Sequence, residues 1–194
     1  MSEVLDRRPI VVALAGPNGA GKTTFYRAFL QESGLRFVNP DVLAQELSIG
    51  AYEAARLAAE IRQQLIAAGE SFIFETVFSD PEGEKLKFLQ AIEQSGYTVV
   101  LLFIGVESPK TSDDRVLMRV SKGGHDVPAN KIAERYSRTM KNLQRAFLEL
   151  GNIRVYENSD LERPYRLVAS RDAGRKIAIH PPTPAWLKPL LPPR

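Results

Sequence analysis

The octapeptide GPNGAGKT at residues 16–23 restricts the fold of this chain more than any other feature. It matches the pattern G-x-x-x-x-G-K-[ST], in which glycines let the backbone wrap closely and turn its N–H groups toward phosphate oxygens. A continuous apolar run, PIVVALA at residues 9–15, precedes it and predicts a strand buried on both faces. Because a helix is expected directly after the octapeptide, the context is that of a phosphate-binding loop and not of a chance glycine-rich turn.

The predicted ligand of this loop is a nucleoside triphosphate with its magnesium ion. The N-terminus of the following helix adds partial positive charge to the loop. Lys22 is expected to reach the β- and γ-phosphates, and the Thr23 hydroxyl is expected to ligate Mg²⁺. The residues predicted to bind the nucleotide are Gly16, Pro17, Asn18, Gly19, Ala20, Gly21, Lys22, Thr23 and Thr24.

Predicted strands and helices alternate along the chain. Apolar runs predict further strands near residues 35–38, 71–75, 97–104 and 153–156, with helical segments between them. This alternation is typical of a three-layer α/β sandwich with a mainly parallel sheet, the P-loop kinase-like class, here with a helical lid region. Residues 165–169 and 176–180 are expected to form a hairpin. We expect one domain over residues 1–180 and an extended, proline-rich C-terminal tail over residues 181–194.

Composition and charge exclude several classes of protein. The chain has no cysteine, so it has no disulfide, thiolate zinc site or cysteine nucleophile. The longest apolar run, near residues 99–104, is too short to span a bilayer, and the first ten residues lack the apolar stretch of a signal peptide. We therefore expect a cytoplasmic protein that does not enter the membrane.

Charge is divided unevenly between the two parts of the chain. Residues 1–114 carry 10 Lys/Arg and 16 Asp/Glu, a net charge of −6, whereas residues 115–194 carry 16 and 7, a net charge of +9. This division favours an anionic ligand held against the second part, and a basic solvated surface is the alternative.

Two acidic residues are expected near the γ-phosphate. Asp41 lies just after the second predicted strand, and Glu75 ends the third. The carboxyl ends of parallel strands open onto the ligand crevice, so both carboxylates are expected to face it. One could accept the proton of an attacking hydroxyl as a general base, and the other could hold Mg²⁺ through its waters or orient the acceptor. The alternatives are a helix N-cap at Asp41, with Asn39 as its competitor, and a solvent-facing strand end at Glu75.

A glycine-rich segment, KGGHDVP at residues 122–128, interrupts two predicted helices and is expected to be a lid that closes on ATP. Arginines beside a lid are well placed to neutralise charge on a transferred phosphoryl group. The alternative is a set of surface salt bridges, for instance between Glu134 and Arg138. The arginines that flank the segment are Arg115, Arg119, Arg135 and Arg138.

Four segments, in this order and spacing, resemble the zeta-toxin family of P-loop kinases: AGPNGAGKTT, FVNPD, GESFIFET and GGHDVP with a following RY. The resemblance covers roughly residues 9–170 and is nearest to the short branch often labelled predicted ABC-type ATPase. That label is unhelpful, because an ABC signature such as LSGGQ is absent and residues 47–50 read LSIG.

The resemblance implies an ATP-dependent kinase, with ATP and Mg²⁺ as cofactors. Toxin members of the family phosphorylate a sugar hydroxyl of UDP-N-acetylglucosamine, and a separate antitoxin protein inhibits them. The resemblance therefore implies a small-molecule hydroxyl acceptor and an antitoxin protein as partners. The catalytic residues implied are Asp41 as the base, Lys22, Arg119 and Arg135. The acceptor-binding residues implied are Asp41, Glu75, Thr76, Arg115 and Arg138. The metal-binding residues expected are Thr23 and Glu75.

Two other functions stay open at this point. The first is a kinase for another acceptor, such as a nucleoside, an antibiotic or a nucleic-acid 5′ end, although interleaved aromatic and basic residues that would stack bases are absent. The second is a regulatory switch that hydrolyses a nucleotide without a phosphoryl acceptor. A guanine-specific NKxD motif is also absent, since residues 130–133 read NKIA.

Overall fold

The computed structural model describes residues 6–120 and 128–192. Its strands are β1 (Ile10–Ala15), β2 (Arg36–Val38), β3 (Phe72–Thr76), β4 (Thr98–Gly105), β5 (Ile153–Glu157), β6 (Arg166–Arg171) and β7 (Ala178–Ile179). Its helices are α1 (Lys22–Phe25), α2 (Pro40–Leu47), α3 (Ala51–Ala67), α4 (Glu84–Gln94), α5 (Pro109–Val120) and α6 (Ala129–Glu149). Helix α1 continues through a π-helical turn (Tyr26–Leu30) and a 3-10 turn (Gln31–Ser33).

The strands form one seven-stranded sheet in the order β2-β3-β1-β4-β5-β6-β7. Strands β1 to β5 run parallel to one another, whereas β6 pairs antiparallel with β5 and β7 pairs antiparallel with β6. Val12 at the centre of β1 lies opposite Ile73 on one side and Val100 on the other. All of β1 is buried, as its unbroken apolar run predicts. The predicted three-layer α/β class with a mainly parallel sheet is confirmed, and so is the hairpin, in which Ala169 pairs with Ile179.

Helix α6 packs an apolar stripe into the core. The stripe follows the three- and four-residue spacing of one helix face, and its members are buried. They are Ile132, Tyr136, Met140, Leu143 and Phe147. The Tyr136 hydroxyl donates to the carbonyl of Val106, 2.9 Å away, and burial beside acidic groups raises the pKa of this phenol to about 12. Helix α6 is thereby tied to the segment that follows β4.

The proline-rich tail does not run free of the domain. Trp186 and Leu187 are buried, and the indole ring packs where a side chain on Gly105 would otherwise lie, since a Cβ there would come within 2.3 Å of the ring. The indole Nε1 donates to the buried carboxylate of Glu157. An aromatic ring with a polar N–H can be buried when that group finds an acceptor, and this contact holds the tail against the ends of β4 and β5.

Among the described helices, none combines the length and the apolar character that a bilayer crossing requires.

Candidate active site

The candidate site lies where the carboxyl ends of β1, β2, β3 and β5 meet. The phosphate loop follows β1, Asn39 follows β2, Glu75 is the second-to-last residue of β3, and Asn158 follows β5. Parallel strands present their carboxyl ends at one edge of the sheet, and ligands of open α/β sheets bind there. Segments that are far apart in sequence therefore contribute to one crevice.

The phosphate loop depends on backbone conformations that favour glycine. Gly16 has φ of 144°, and a Cβ at this position would lie 2.1 Å from the carbonyl oxygen of Ile104. Gly21 has φ of 91°, and a Cβ there would meet Asn158 Nδ2 at 2.7 Å and the Tyr165 hydroxyl at 2.9 Å. The loop can therefore pass this close to its neighbours only without side chains at these two positions.

Asn158 and Tyr165 support the loop from behind. Asn158 Nδ2 donates to the carbonyl oxygen of Ala20 at 2.8 Å, and the Tyr165 hydroxyl donates to that of Gly21 at 3.0 Å. Burial raises the pKa of Tyr165, so this phenol keeps the proton that it donates. Sequence reasoning missed both residues, because their partners lie more than 130 positions away and no local pattern marks them.

Lys22 lies folded over the loop that it follows. Its ammonium donates to the carbonyl oxygens of Gly16 and Pro17, both at 3.0 Å, and lies 3.8 Å from Glu75 Oε1. The side chain is only 6% exposed. The ammonium group that is expected to bind the β- and γ-phosphates is therefore held against the phosphate loop.

Glu75 joins the loop to the neighbouring strand. Its Oε2 accepts hydrogen bonds from Thr23 Oγ1 and from Asn39 Nδ2, each at 2.9 Å. The side chain is 13% exposed, so the alternative of a solvent-facing strand end does not hold. Hydroxyl and carboxylate oxygens side by side suit Mg²⁺, which is commonly held by one or two protein oxygens while phosphates and waters complete its shell. The described residues contain no cluster of three or more acidic or histidine side chains that could bind a metal by themselves.

Asn39, and not Asp41, caps helix α2. Asn39 Oδ1 accepts from the backbone N–H of Asp41 at 2.8 Å, and Pro40 occupies the first helical position. The carboxylate of Asp41 is exposed and makes no hydrogen bond or ion pair within the described part of the chain. It is therefore not needed for the cap and is available to a ligand.

A cavity of about 210 Å³ lies beside this network. The predicted acceptor-binding residues Asp41, Glu75 and Thr76 line it together with two cations, Arg62 from α3 and Lys85 from α4. Thr76 Oγ1 also accepts from the N–H of Phe78 at 3.0 Å and so orders the turn that follows β3. The structure thus brings three predicted residues to one cavity and adds two that were not predicted.

Arg62 carries a sequence signal that could have identified it. It lies four residues after Ala58 and eight after Ala54, on the buried face of α3. A charged residue in an apolar helical stripe is unusual and indicates either a buried partner or a ligand. Lys85 has no such signal, because it lies on the first turn of α4 among other charged residues.

The predicted arginines take different positions. Arg115 lies against the loop, since a Cβ on Gly19 would be 3.1 Å from Arg115 Cβ, and its Nη2 donates to the carbonyl of Ser159 at 3.0 Å. Arg138 donates to the carbonyl of Ser79 at 2.9 Å and lies 3.8 Å from Glu134, the surface pair considered as the alternative.

Arg135 is half-buried on α6 and has no hydrogen bond or ion pair among the residues described. The side chain of Arg119 lies outside the described residues, and so do residues 122–127 of the lid expected over residues 122–128.

Comparison with known proteins gives one family and several solved structures with a similar fold. A family model described as Zeta toxin matches residues 2–167. No curated protein sequence matches the chain. The AvrRxo1-ORF1:-ORF2 complex with ATP matches with a TM-score of 0.66 and 22% identity, over 89% of this chain and 60% of that one. A structure from the PezAT chromosomal toxin-antitoxin system of Streptococcus pneumoniae matches with a TM-score of 0.62 and 21% identity, over 84% and 71%.

Shikimate kinase from Bacteroides thetaiotaomicron matches with a TM-score of 0.52 and 15% identity, over 79% of this chain and 89% of that one. These identities are low, so each likeness is one of fold. The chain spans about three fifths of the length of the AvrRxo1-ORF1 chains that it matches.

Proposed function

This chain belongs to the zeta toxin family of P-loop kinases, and from that premise we propose that it transfers the γ-phosphoryl group of Mg-ATP to a hydroxyl of a small molecule. Family membership favours UDP-N-acetylglucosamine or another nucleotide-sugar as the acceptor. Because ATP is the donor, we propose that the reaction takes place in the cytoplasm.

The position of Glu75 is the observation that carries this proposal. One of its oxygens accepts from Thr23 of the phosphate loop, and the other lies 3.8 Å from the Lys22 ammonium. The same side chain lines the cavity that Asp41 lines. A donor over the loop and an acceptor in the cavity would therefore be neighbours, as transfer of a phosphoryl group between them requires.

In the proposed reaction, Asp41 takes the proton of the acceptor hydroxyl as its oxygen attacks the γ-phosphorus. The new P–O bond forms while the bond to the β,γ-bridging oxygen breaks, and ADP leaves with that electron pair. Lys22 and the backbone N–H groups of the loop neutralise the charge on the phosphate oxygens. Glu75 and Thr76 orient the acceptor.

Thr23 and Glu75 would hold Mg²⁺, which when bound neutralises phosphate charge. We also propose that Arg115, Arg119 and Arg135 neutralise charge on the transferred group. Arg138 is a weaker candidate, because its guanidinium already binds the carbonyl of Ser79 and pairs with Glu134.

A separate antitoxin protein is proposed as a partner. The supporting observation is that two of the structures with this fold come from two-component assemblies, one described as AvrRxo1-ORF1:-ORF2 and one as the PezAT toxin-antitoxin system. Purification with the product of a neighbouring gene, followed by an ATP-binding measurement on the complex, would test it. In the toxin members the antitoxin blocks the ATP site, and we propose the same mode of inhibition here. If the complex binds ATP with the same affinity as the free chain, this mode of inhibition is contradicted.

Incubation with γ-labelled ATP, Mg²⁺ and a small-molecule metabolite extract tests the kinase directly. We expect the label to move to a small molecule that chromatography and mass spectrometry can identify. Lys22→Met removes the ammonium while keeping an apolar stem, and we expect it to lose nearly all transfer. Release of labelled inorganic phosphate alone would favour a regulatory ATPase over a kinase, and wild-type transfer by Lys22→Met would contradict the assignment of the loop.

A further inference from the structure

Arg62 is a buried cation that the fold does not pair. It is 8% exposed, and its Nε is buried without a hydrogen-bond partner. Within the described part of the chain, its guanidinium takes part in no hydrogen bond or ion pair. Its contacts are apolar and aromatic, since the guanidinium carbon lies 5.2 Å from the ring centroid of Phe74 and 5.7 Å from that of Phe88.

This placement costs the fold free energy. A buried ion loses its hydration, and contacts with two aromatic rings replace only part of what is lost. Burial lowers the pKa of the guanidinium, but an arginine side chain does not lose its proton in a protein. An apolar side chain at this position of α3 would be cheaper, which indicates that the charge serves a ligand.

The cavity supplies the place for that ligand. Arg62 and Lys85 both line it, and Lys85 likewise forms no ion pair with any residue of the described chain. The two carboxylates of the cavity do not neutralise them: Glu75 is engaged by Thr23, Asn39 and Lys22, and Asp41 pairs with neither cation. Two cations therefore face the cavity, and neither forms an ion pair with a described residue.

We infer that Arg62, assisted by Lys85, binds the carboxylate or phosphate group of the phosphoryl acceptor while the acceptor hydroxyl faces Asp41. This inference rests on the proposed kinase function. A guanidinium can bind either group through two parallel hydrogen bonds, which would satisfy the orphaned Nε. The cavity volume of about 210 Å³ is below the roughly 300–1,000 Å³ of sites for drug-sized ligands, so it would hold a compact acceptor or the reacting end of a longer one.

The first test divides a metabolite extract by anion exchange into neutral and anionic fractions, each incubated with γ-labelled ATP and Mg²⁺. We expect a labelled product from the anionic fraction only. A product from the neutral fraction alone would overturn this inference and leave the kinase function standing. No product from either fraction would overturn the proposed function and this inference with it. The identity of the product then distinguishes a carboxylate from a phosphate.

The second test uses the purified acceptor and three variants. We expect Arg62→Met to raise the acceptor KM about tenfold to a hundredfold, because it removes charge-assisted hydrogen bonds, with kcat and the KM for ATP changed by less than about threefold. Arg62→Lys keeps the charge without the planar fork and should give an intermediate KM. Arg56→Met is the matched control, since Arg56 lies on the same helix but is exposed and pairs with Glu60.

Thermal unfolding of the same variants separates a ligand-binding role from a structural one. We expect the Tm of Arg62→Met to equal or exceed that of the wild type, because an apolar side chain replaces an unpaired buried ion. A lower Tm together with an unchanged acceptor KM in both Arg62 variants would show that the guanidinium supports the fold and would overturn the inference.

Discussion

At the scale of single residues, the site is organised by three neighbouring polar side chains. Asn39 uses its carbonyl oxygen to cap α2 and its amide nitrogen to bind Glu75. Glu75 in turn accepts from Thr23 of the phosphate loop. Because Asn39 performs the capping, the carboxylate of Asp41 is left without a structural role among the residues described. Because this carboxylate also lines the cavity together with Glu75 and Thr76, it is placed to act as a general base.

We therefore expect Asp41→Asn to lower kcat for phosphoryl transfer by about 10²–10⁴-fold, the usual contribution of a general base. The affinity for ATP should change by less than twofold, since Asp41 makes no contact with the loop. Steady-state kinetics and titration with a fluorescent ATP analogue measure the two quantities.

Glu46→Gln is the matched control for this prediction, because Glu46 is an exposed carboxylate on the same helix. It should leave both quantities unchanged. Normal turnover by Asp41→Asn would remove Asp41 as the base.

At the scale of secondary-structure elements, the phosphate loop is held by the segment that follows β5. Asn158 donates to the carbonyl of Ala20 and accepts from the backbone N–H of Tyr165, while the Tyr165 hydroxyl reaches the carbonyl of Gly21. The loop is thus fixed by two side chains that bind its carbonyl oxygens and do not occupy its backbone N–H groups. A cradle that is ordered before the ligand arrives binds it at a lower entropic cost.

We expect Asn158→Ala to lower the free energy of unfolding by about 1–3 kcal/mol, because it leaves a buried carbonyl and an N–H without partners. ATP binding should weaken in parallel, since the loop loses one of its two supports. Urea denaturation with and without Mg-ATP measures both effects.

Asn130→Ala, an exposed position at the start of α6, serves as the control for Asn158→Ala. Full stability together with wild-type ATP affinity in Asn158→Ala would show that the contact does not support the loop.

At the scale of the whole molecule, the end of the chain closes the domain at the carboxyl ends of β4 and β5. Trp186 fills the space above Gly105 and donates to Glu157, and Leu187 beside it is fully buried. The Glu157 carboxylate also accepts from the N–H of Ser159 at 2.6 Å. The tail is therefore part of the core, and it reaches the same edge of the sheet as the candidate site.

We expect Trp186→Ala to lower the free energy of unfolding by about 3–5 kcal/mol, the range for deleting a large buried aromatic side chain. Trp186→Phe keeps most of the ring but removes the indole N–H, and about 1–3 kcal/mol should be lost because Glu157 is left short of a donor. Urea midpoints at constant m-value measure both changes.

Leu161→Ala, at a side chain that is 75% exposed, is the control for the tail variants. Trp186→Ala with wild-type stability would indicate that the tail is not part of the folded core in solution.

Local patterns in the sequence determined the features that depend on neighbouring residues. The spacing of glycine, lysine and threonine in residues 16–23 predicted the phosphate loop, and apolar runs between helical segments predicted the mainly parallel sheet. The hairpin of β6 and β7 also followed from a short turn between two apolar segments. These features were predictable because strands, helices and tight turns are set by side chains a few positions apart.

Only the tertiary structure decided which residues meet across the crevice. The choice of Asn39 as the cap, the three partners of Glu75, the place of Arg62 in the cavity and the burial of Trp186 all depend on contacts between distant segments. The two supports of the phosphate loop are of the same kind, since they join residues more than 130 positions apart. Spacing along the chain carries no record of such contacts, because they arise from the order of strands in the sheet, and that order is set by the packing of the whole core.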